Sequence, residues 1–295
     1  MNHEAFSSLQ ITRRESEPTT PRDAVCTALL VMEDEGIRER TDWIVIEEPL
    51  EIRAQGPGQK PTSVAVTMRT PGHDAELAVG FLYTEGLVLS RADVVAARDC
   101  VSQRGGGGVC NVVQVVLSTS FDGSVLKRNF FATSSCGVCG KATLDQIAVR
   151  CPPVEPGPAV GRSIVVGLPN AMREAQTVFD RTGGLHAAGL FDAAGHLIAV
   201  REDVGRHNAV DKLVGRAFLD GELPLAGRIL LVSGRTSFEI LQKAAVAGVP
   251  IVCAVSAPSS LAVSVADRLG ITLVGFLRGS SFNVYTHPGR IDPHR

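Results

Sequence analysis

The chain has no apolar run of about 18 residues, the length a membrane-spanning helix needs, so no transmembrane helix and no membrane partner are expected. Its opening stretch, "MNHEAFSSLQITRRESEPTTPRDAV", lacks the apolar middle of a secretory signal. We read residues 1–40 as a disordered lead. No long basic run is present and the net charge is −2, which offers non-specific nucleic-acid binding little to work with and leaves room only for a local basic pocket. The glycines at 105–108 are not followed by the Gly-Lys-Ser/Thr of a phosphate-binding loop, so they read as a hairpin tip. A disulfide framework is also missing. Seven cysteines, an odd number, stand at irregular spacings (26, 100, 110, 136, 139, 151 and 253), a pattern that suits a reducing cytoplasm.

What is present is an ordinary globular composition, 44% hydrophobic and 20% charged. At 295 residues the chain exceeds the usual size of one core, so two domains are expected. From residue 42, "DWIVIEEPLEIRA" and "SVAVTMR" are strand-like runs around the turn-prone "QGPGQKPT". "TPGHDAELAVGFLYTEGLV" follows as a helix, with Thr70 and Pro71 as start signals and Ala75, Val79 and Leu82 at helical spacing. "RADVVAARDCV" and "NVVQVVLS" read as strands or short elements, and "KATLDQIAV" as a short helix. We assign an α+β domain to 41–150. The four prolines of "CPPVEPGPAVG" mark the seam.

Residues 160–295 alternate more cleanly. "NAMREAQTVFDRTG" reads as a helix whose Met172, Ala175 and Phe179 form an apolar stripe, and "HAAGLFDAAGHLIAVRED" as two strands around Asp192–Gly195. A helix over "RHNAVDKLVGRAFLDG" precedes a strand–helix–strand–helix–strand–strand series from "GRILLVSG" to "FNVYTH". Runs such as "ILLVS" and "IVCAV" are apolar throughout, as strands covered on both faces are. The expected fold class is α/β, a three-layer C-terminal domain with a smaller N-terminal α+β domain. Its ligand should lie beyond the carboxyl ends of the strands.

Cys136 and Cys139 form the one tight pair, in "SSCGVCGK". Structural zinc or an iron–sulfur cluster usually needs four soft ligands, and no second such pair exists; Cys100 and Cys110, ten residues apart, make a poor completion. A loop thiol near a helix start and Lys141 would have its thiolate favoured. It could accept sulfur as a persulfide, with the second thiol resolving or protecting it. From this chemistry alone, sulfur transfer or redox work and metal binding stand level. His207 opens a small apolar helix face as in a zinc deaminase, but Ala209 occupies the place of the acid/base Glu, and no Pro-Cys-x-x-Cys appears in "SGRTSFEILQK". Asn208, Asp211 and Lys212 read either as an ion-paired helix edge or, with Arg206, as a pocket lining. "VSGRTSFEI" sets Ser233 and Arg235 at a strand-to-helix junction suited to phosphate, or simply to a helix cap. Arg278, Gly279, Ser280 and Ser281 follow a buried strand and suit an anionic, hydrogen-bonding ligand such as a nucleotide.

Together "MRTPGHDAELAVGFLYTEGLV", "SSCGVCGK", "TGGLHAAGL", "REDVGRHNAVDKLVG", "VSGRTSFEILQKAAVAGVPIV", "SAPSSLAV" and "GITLVGFLRGSSFNVYTHPGRI" resemble, in order over residues 42–291, the formate dehydrogenase accessory sulfurtransferase family. The resemblance implies a cytidine-deaminase-like C-terminal domain with a mixed sheet. It implies a relay in which a cysteine desulfurase loads sulfur on Cys136, with Cys139 as partner. The sulfur passes to a molybdenum or tungsten bis(guanine dinucleotide) cofactor, bound as substrate, which then enters formate dehydrogenase. Phe276, Leu277, Arg278, Gly279, Ser280 and Ser281 match the segment assigned to that cofactor, and "SGR" would help hold its pyrophosphate. A homodimer is the family habit, and no protein side chain need hold a metal. The competing expectation is a non-catalytic cofactor-binding chaperone with a structural or zinc-binding cysteine pair.

Overall fold

The computed structural model describes residues 23–34, 36–99, 111–121 and 153–295. The Cys136/Cys139 loop, Cys100, Cys110, Cys151, the glycine run, the helix expected after Lys141 and residues 1–22 of the expected lead lie outside the described residues.

The larger part is a six-stranded mixed sheet in the order β13-β12-β11-β10-β8-β9. It is built from β8 (His186–Phe191), β9 (Leu197–Asp203), β10 (Ile229–Val232), β11 (Ile251–Ala254), β12 (Thr272–Arg278) and β13 (Ser281–Thr286). β10, β11 and β12 pair in parallel, and the other pairings are antiparallel. Every residue of β10 and β11 is buried, because both faces are covered. On one side Leu230, Val232 and Val252 pack with three helices: α4 (Arg206–Leu219), α5 (Phe238–Val246) and α6 (Ser260–Arg268). On the other, Ile229, Leu231, Ile251 and Cys253 meet Val165, Leu168 and Met172 of α2 (Arg162–Glu174). The expected α/β layering is therefore present as a mixed α+β chain. A short parallel pair, β7 (Val160–Gly161) with β14 (Ile291–Asp292), lies beside α2.

The smaller sheet runs β4-β3-β6-β5, from β3 (Glu48–Gln55), β4 (Thr62–Arg69), β5 (Val94–Asp99) and β6 (Val112–Leu117). Leu50, Ile52, Val113 and Val115 on its inner face pack against Leu77, Ala78 and Leu82 of α1 (Asp74–Thr84).

Two expectations need correction. Residues 24–33 and 36–40 are not part of a disordered lead. β1 (Ala24–Glu33) and β2 (Gly36–Val45) form an antiparallel hairpin, turned at Gly36 with φ 137°. The dense charges of "RERTD" hid it from a hydrophobicity reading, since β2 is exposed along most of its length. The hairpin rests on α3 (Thr177–Thr182), where Arg181 bonds Asp23 and lies over the Trp43 ring. Secondly, the helix expected from Asn170 starts earlier, at Arg162, and breaks at Ala175–Gln176. The Glu202 carboxylate accepts the Val178 and Phe179 amides at 3.1 and 2.8 Å and so starts a second helix. The stripe splits: Met172 is core, Ala175 ends α2, and Phe179 lies under Arg173.

The two sheets are joined by α1 crossing α4. A Cβ on Gly80 would lie 1.9 Å from the Asp211 carbonyl oxygen, and one on Gly215 1.8 Å from that of Glu76. Only glycine at both positions lets the backbones come this close. Buried polar bonds frame the crossing. Asp211 accepts from Thr84 at 2.7 Å and pairs with Lys243 at 3.0 Å. Lys243 also bonds Thr84 and Glu85. Lys212 pairs with Asp203 at 2.7 Å and donates to the Thr70 carbonyl at 2.9 Å. Burial opposes the charge on Lys243, but Asp211 and Glu85 beside it hold its pKa above the usual lysine value. Asn208 donates to the Met68 carbonyl. Asp211, Lys212 and Asn208 thus tie the halves together, the ion-paired reading of this helix rather than a pocket lining.

Gly215→Ala should cost at least about 3 kcal/mol, the upper end of overpacking penalties. The exposed Gly167→Ala, whose Cβ meets nothing within 4 Å, should gain up to about 1 kcal/mol of helix propensity; urea midpoints compare the two. A second expectation concerns acid. Burial alone would raise the Glu76 pKa, but hydrogen bonds and charge from Arg201 and His73 outweigh it and lower it from 4.5 to about 2. The pKa is depressed in the folded state, so the stabilisation is complete above pH 4.5 and disappears as the pH falls towards 2. That is about 3 kcal/mol at most. Melting temperature against pH should show this loss in the native chain and a much flatter profile in Glu76→Gln.

Candidate functional site

β9 runs antiparallel to β8, and β8 antiparallel to β10, so β9, β10, β11 and β12 all end on one edge of the large sheet. Helices α4, α5 and α6 begin at this edge. Each carries a partial positive charge and unpaired amides at its start, the arrangement that favours anions. The N-terminal turns of α4 and α5 have no side-chain cap, whereas Ser259 caps α6 through the Ala262 amide.

The loops along the edge are stitched together by backbone. The Thr236 amide donates to Ala257 O and the Ser259 amide to Thr236 O. The Phe276 amide donates to Ser256 O, and Arg278 Nε to Val255 O at 3.0 Å. Gly275 has to be small, because its Cβ would lie 3.0 Å from both Pro258 and Tyr285. In this way the Ser233–Arg235 stretch and the Phe276–Ser281 stretch, remote in sequence, line one edge through the loop after β11.

Individual residues differ in what they can contribute. Ser233 Oγ accepts the Ala187 amide at 2.9 Å, so one of its lone pairs serves the sheet. Arg235 is exposed. Phe276 has φ 52°, a left-handed backbone that is unusual for an aromatic residue, and is 42% exposed. Leu277 is fully buried in the core under α2, so its side chain does not line the edge. The expected loop after the strand is tighter than the sequence implied. β12 continues through a bulge to Arg278, which pairs with Ser281 across the two-residue turn Gly279–Ser280. The Ser280 carbonyl accepts from Arg162 at 2.6 Å.

A second group of side chains gathers where β8 begins. His207 Nε2 lies 2.9 Å from Glu239 Oε2 and 3.2 Å from Ser237 Oγ. The hydrogen bond from His207 holds Glu239 below the ordinary carboxylate range. His186, opposite Asp203 in the ladder, is lowered by burial and then by the charges of Arg206 and His207. Among the described residues no three His, Cys, Asp or Glu side chains cluster as a metal site. His186 and Glu239 escaped the sequence reading. The available signal was a histidine directly before the buried "AAGLF" run, a polar residue where a covered strand begins. The His186 C–H signal in an NMR titration should move at a pH below that of an ordinary histidine. Arg206→Gln should shift the midpoint upward, and an unmoved midpoint would mean that the guanidinium does not face the ring.

With the fold and edge established, comparison with known proteins is specific. Residues 45–292 match the FdhD/NarQ family. The chain is 51% identical over 257 residues to a protein named sulfur carrier protein FdhD from Mycolicibacterium paratuberculosis, covering 85% of this chain and 93% of that protein. The protein of the same name from Thermoplasma volcanium is 45% identical over 260 residues, 87% of this chain and 91% of its own length. A crystal structure from Desulfotalea psychrophila, named for a formate dehydrogenase accessory protein, has the same fold: TM-score 0.71, 23% identity, covering 92% of this chain and 100% of that one. The chain belongs to the FdhD/NarQ family.

Proposed function

We propose that this protein is a sulfur carrier serving formate dehydrogenase. It takes sulfur as a persulfide on Cys136 and delivers it to a molybdenum or tungsten bis(guanine dinucleotide) cofactor held at the carboxyl edge of the large sheet. The observation that carries the reading is the family match over residues 45–292 with relatives named as sulfur carriers. Support for the binding edge comes from three helix starts meeting Ser233, Arg235 and the Phe276–Ser281 stretch, where exposed amides and arginines suit phosphates. A cytidine-deaminase-like ancestry for this domain fits the position of His207 at the start of α4, facing Glu239 instead of a zinc ligand set.

The chemistry runs in balanced steps. The Cys136 thiolate attacks the outer sulfur of a desulfurase persulfide, the donor S–S bond breaks, and the desulfurase thiolate leaves. Cys136 then holds the sulfane sulfur. Attack by the Cys139 thiolate on the inner sulfur closes a Cys136–Cys139 disulfide and releases hydrosulfide, which replaces an oxo ligand of the metal as hydroxide departs. The cofactor is substrate throughout and passes to the apo-dehydrogenase. We place this cycle in the cytoplasm and in a homodimer; before each new turn an external dithiol reduces the Cys136–Cys139 disulfide by thiol–disulfide exchange and leaves as its own disulfide.

Incubation with a cysteine desulfurase and cysteine should add the mass of one sulfur atom to the intact chain. Cys136→Ala should abolish the gain without changing the melting temperature, and Cys139→Ala should retain it. A chain that gains no sulfur and instead carries stoichiometric zinc, unfolding on chelation, would replace this reading with that of a cofactor-binding chaperone.

A further inference from the structure

Among the described residues β1 is ten residues long and pairs only with β2. Of the two strands, β2 is the one that lies against the body: Val45 Cγ1 is 3.1 Å from the place of a Cβ on Gly184, and Arg181 covers the Trp43 ring. The outer edge of β1 is left with a row of backbone donors and acceptors, a template for another strand. Strand edges are normally blunted by bulges, charges or shortness, and this chain blunts its others. The outer strands of the two larger sheets, β4, β5, β9 and β13, run six to eight residues, and each pairs with its neighbour through a register shift. β2 carries Arg38, Glu39, Arg40 and Asp42. β1 has none of these devices. Its register with β2 is unbroken, and from Ala24 through Met32 it holds no charge, proline or glycine. Leu30 is 56% exposed and Met32 68%. A two-stranded hairpin by itself is marginal in water, and further strands are what make such a unit stable.

We propose that β1 pairs edge to edge with β1 of a second copy of this chain, antiparallel across a two-fold axis at Ala28, so that two hairpins become one four-stranded sheet in the order β2-β1-β1-β2. The charge pattern selects a copy of the same strand as the occupant. A two-fold axis sets the strand against itself, so a charge close to the axis would stand near its own like, which is unfavourable. β1 has no charge to oppose, and Ala28 is the midpoint of its uncharged run. With the axis there, Leu30 stands opposite the partner's Cys26 and Val25 opposite the partner's Val31. The exposed apolar side chains of β1 thereby gain cross-strand neighbours, and the charged β2 strands become the outer edges. The family match begins at residue 45, so this seam lies in a segment before it. The pairing locates the seam of the homodimer proposed above and does not depend on the sulfur chemistry.

Sedimentation velocity on the full chain over a range of concentrations, joined to amide hydrogen exchange, tests the pairing. The native chain should sediment as a concentration-dependent dimer, and the amides on both edges of β1 should be protected where the dimer forms. Ala28→Lys sets two like charges about 5 Å apart at their Cβ atoms. It should weaken the dimer by roughly tenfold or more and remove protection from the outer β1 amides. Thr41→Lys adds the same charge one strand over, opposite Ala28 in the hairpin, and should leave the dimer unchanged. Both positions are exposed, so both variants should fold. A native chain that stays monomeric with its outer β1 amides exchanging freely would overturn the pairing. A dimer that Ala28→Lys leaves intact would overturn it too, by placing the interface elsewhere. Equal weakening by both substitutions would replace edge pairing with stacked hairpin faces. Protection of β1 in a monomer would mean that a segment of the same chain covers the edge, and would also sink the idea. None of these results touches the sulfur reading, which is measured by mass gain at Cys136.

Discussion

Backbone contact between α1 and α4 at Gly80 and Gly215 is the constraint from which the rest of the molecule follows. Helices normally keep their axes 8–10 Å apart because side chains intervene. Here two glycines remove the intervening atoms, and each helix presses on a carbonyl of the other. Glycine inside a helix costs about 1 kcal/mol against alanine, and the chain accepts it twice on facing surfaces. The return is a crossing tight enough to bury Asp211, Lys243 and Thr84 together. Buried charges like these would be unfavourable unless fully paired. They are paired, so they hold one relative placement of the two sheets.

That placement has a consequence for the edge where α4 begins. Asp203 ends β9 and is gripped by Lys212, Asn208 and the Thr70 amide. The first turn of α4 is therefore anchored to both halves, and Arg206 and His207 project from a fixed base. α5 is tied through Lys243 to Glu85 just past the end of α1. Ser233, Gly234 and Thr236 lead into α5, so the same network positions the loop between β10 and α5. The contacts that join the two sheets therefore also fix the starts of α4 and α5.

Much of this was legible in the sequence. Strands such as "ILLVS" and "IVCAV" declared themselves because burial on both faces removes polar residues entirely. The α4, α5 and α6 segments followed from apolar spacing. The β1–β2 hairpin was not legible, since its residues are mostly exposed and its order depends on cross-strand pairing and a helix far along the chain. The break between α2 and α3 depends on Glu202, more than twenty residues away, whose role no local pattern announces. Gly80 and Gly215 were visible as glycines inside helices, a hint of close packing, but their partnership exists only in three dimensions. At the edge, Arg235 and the Arg278–Ser281 turn were recognisable from charge and glycine. His186 and Glu239 were not, because a single histidine or glutamate carries no periodic signal. Leu277 shows the opposite error: it belongs to a segment that lines the edge, while its own side chain belongs to the core.

The proposed carriage requires sulfur to leave Cys136 for the cofactor and not for solvent. Loading the chain with radiolabelled sulfane sulfur, removing free label, and adding the guanine dinucleotide cofactor with apo-dehydrogenase tests this directly. The account predicts that label appears in the cofactor of the dehydrogenase in step with activity, and that labelled chain and active enzyme trade sulfur one for one. Activity gained while the label stays on the chain, or escapes as free sulfide, would contradict it.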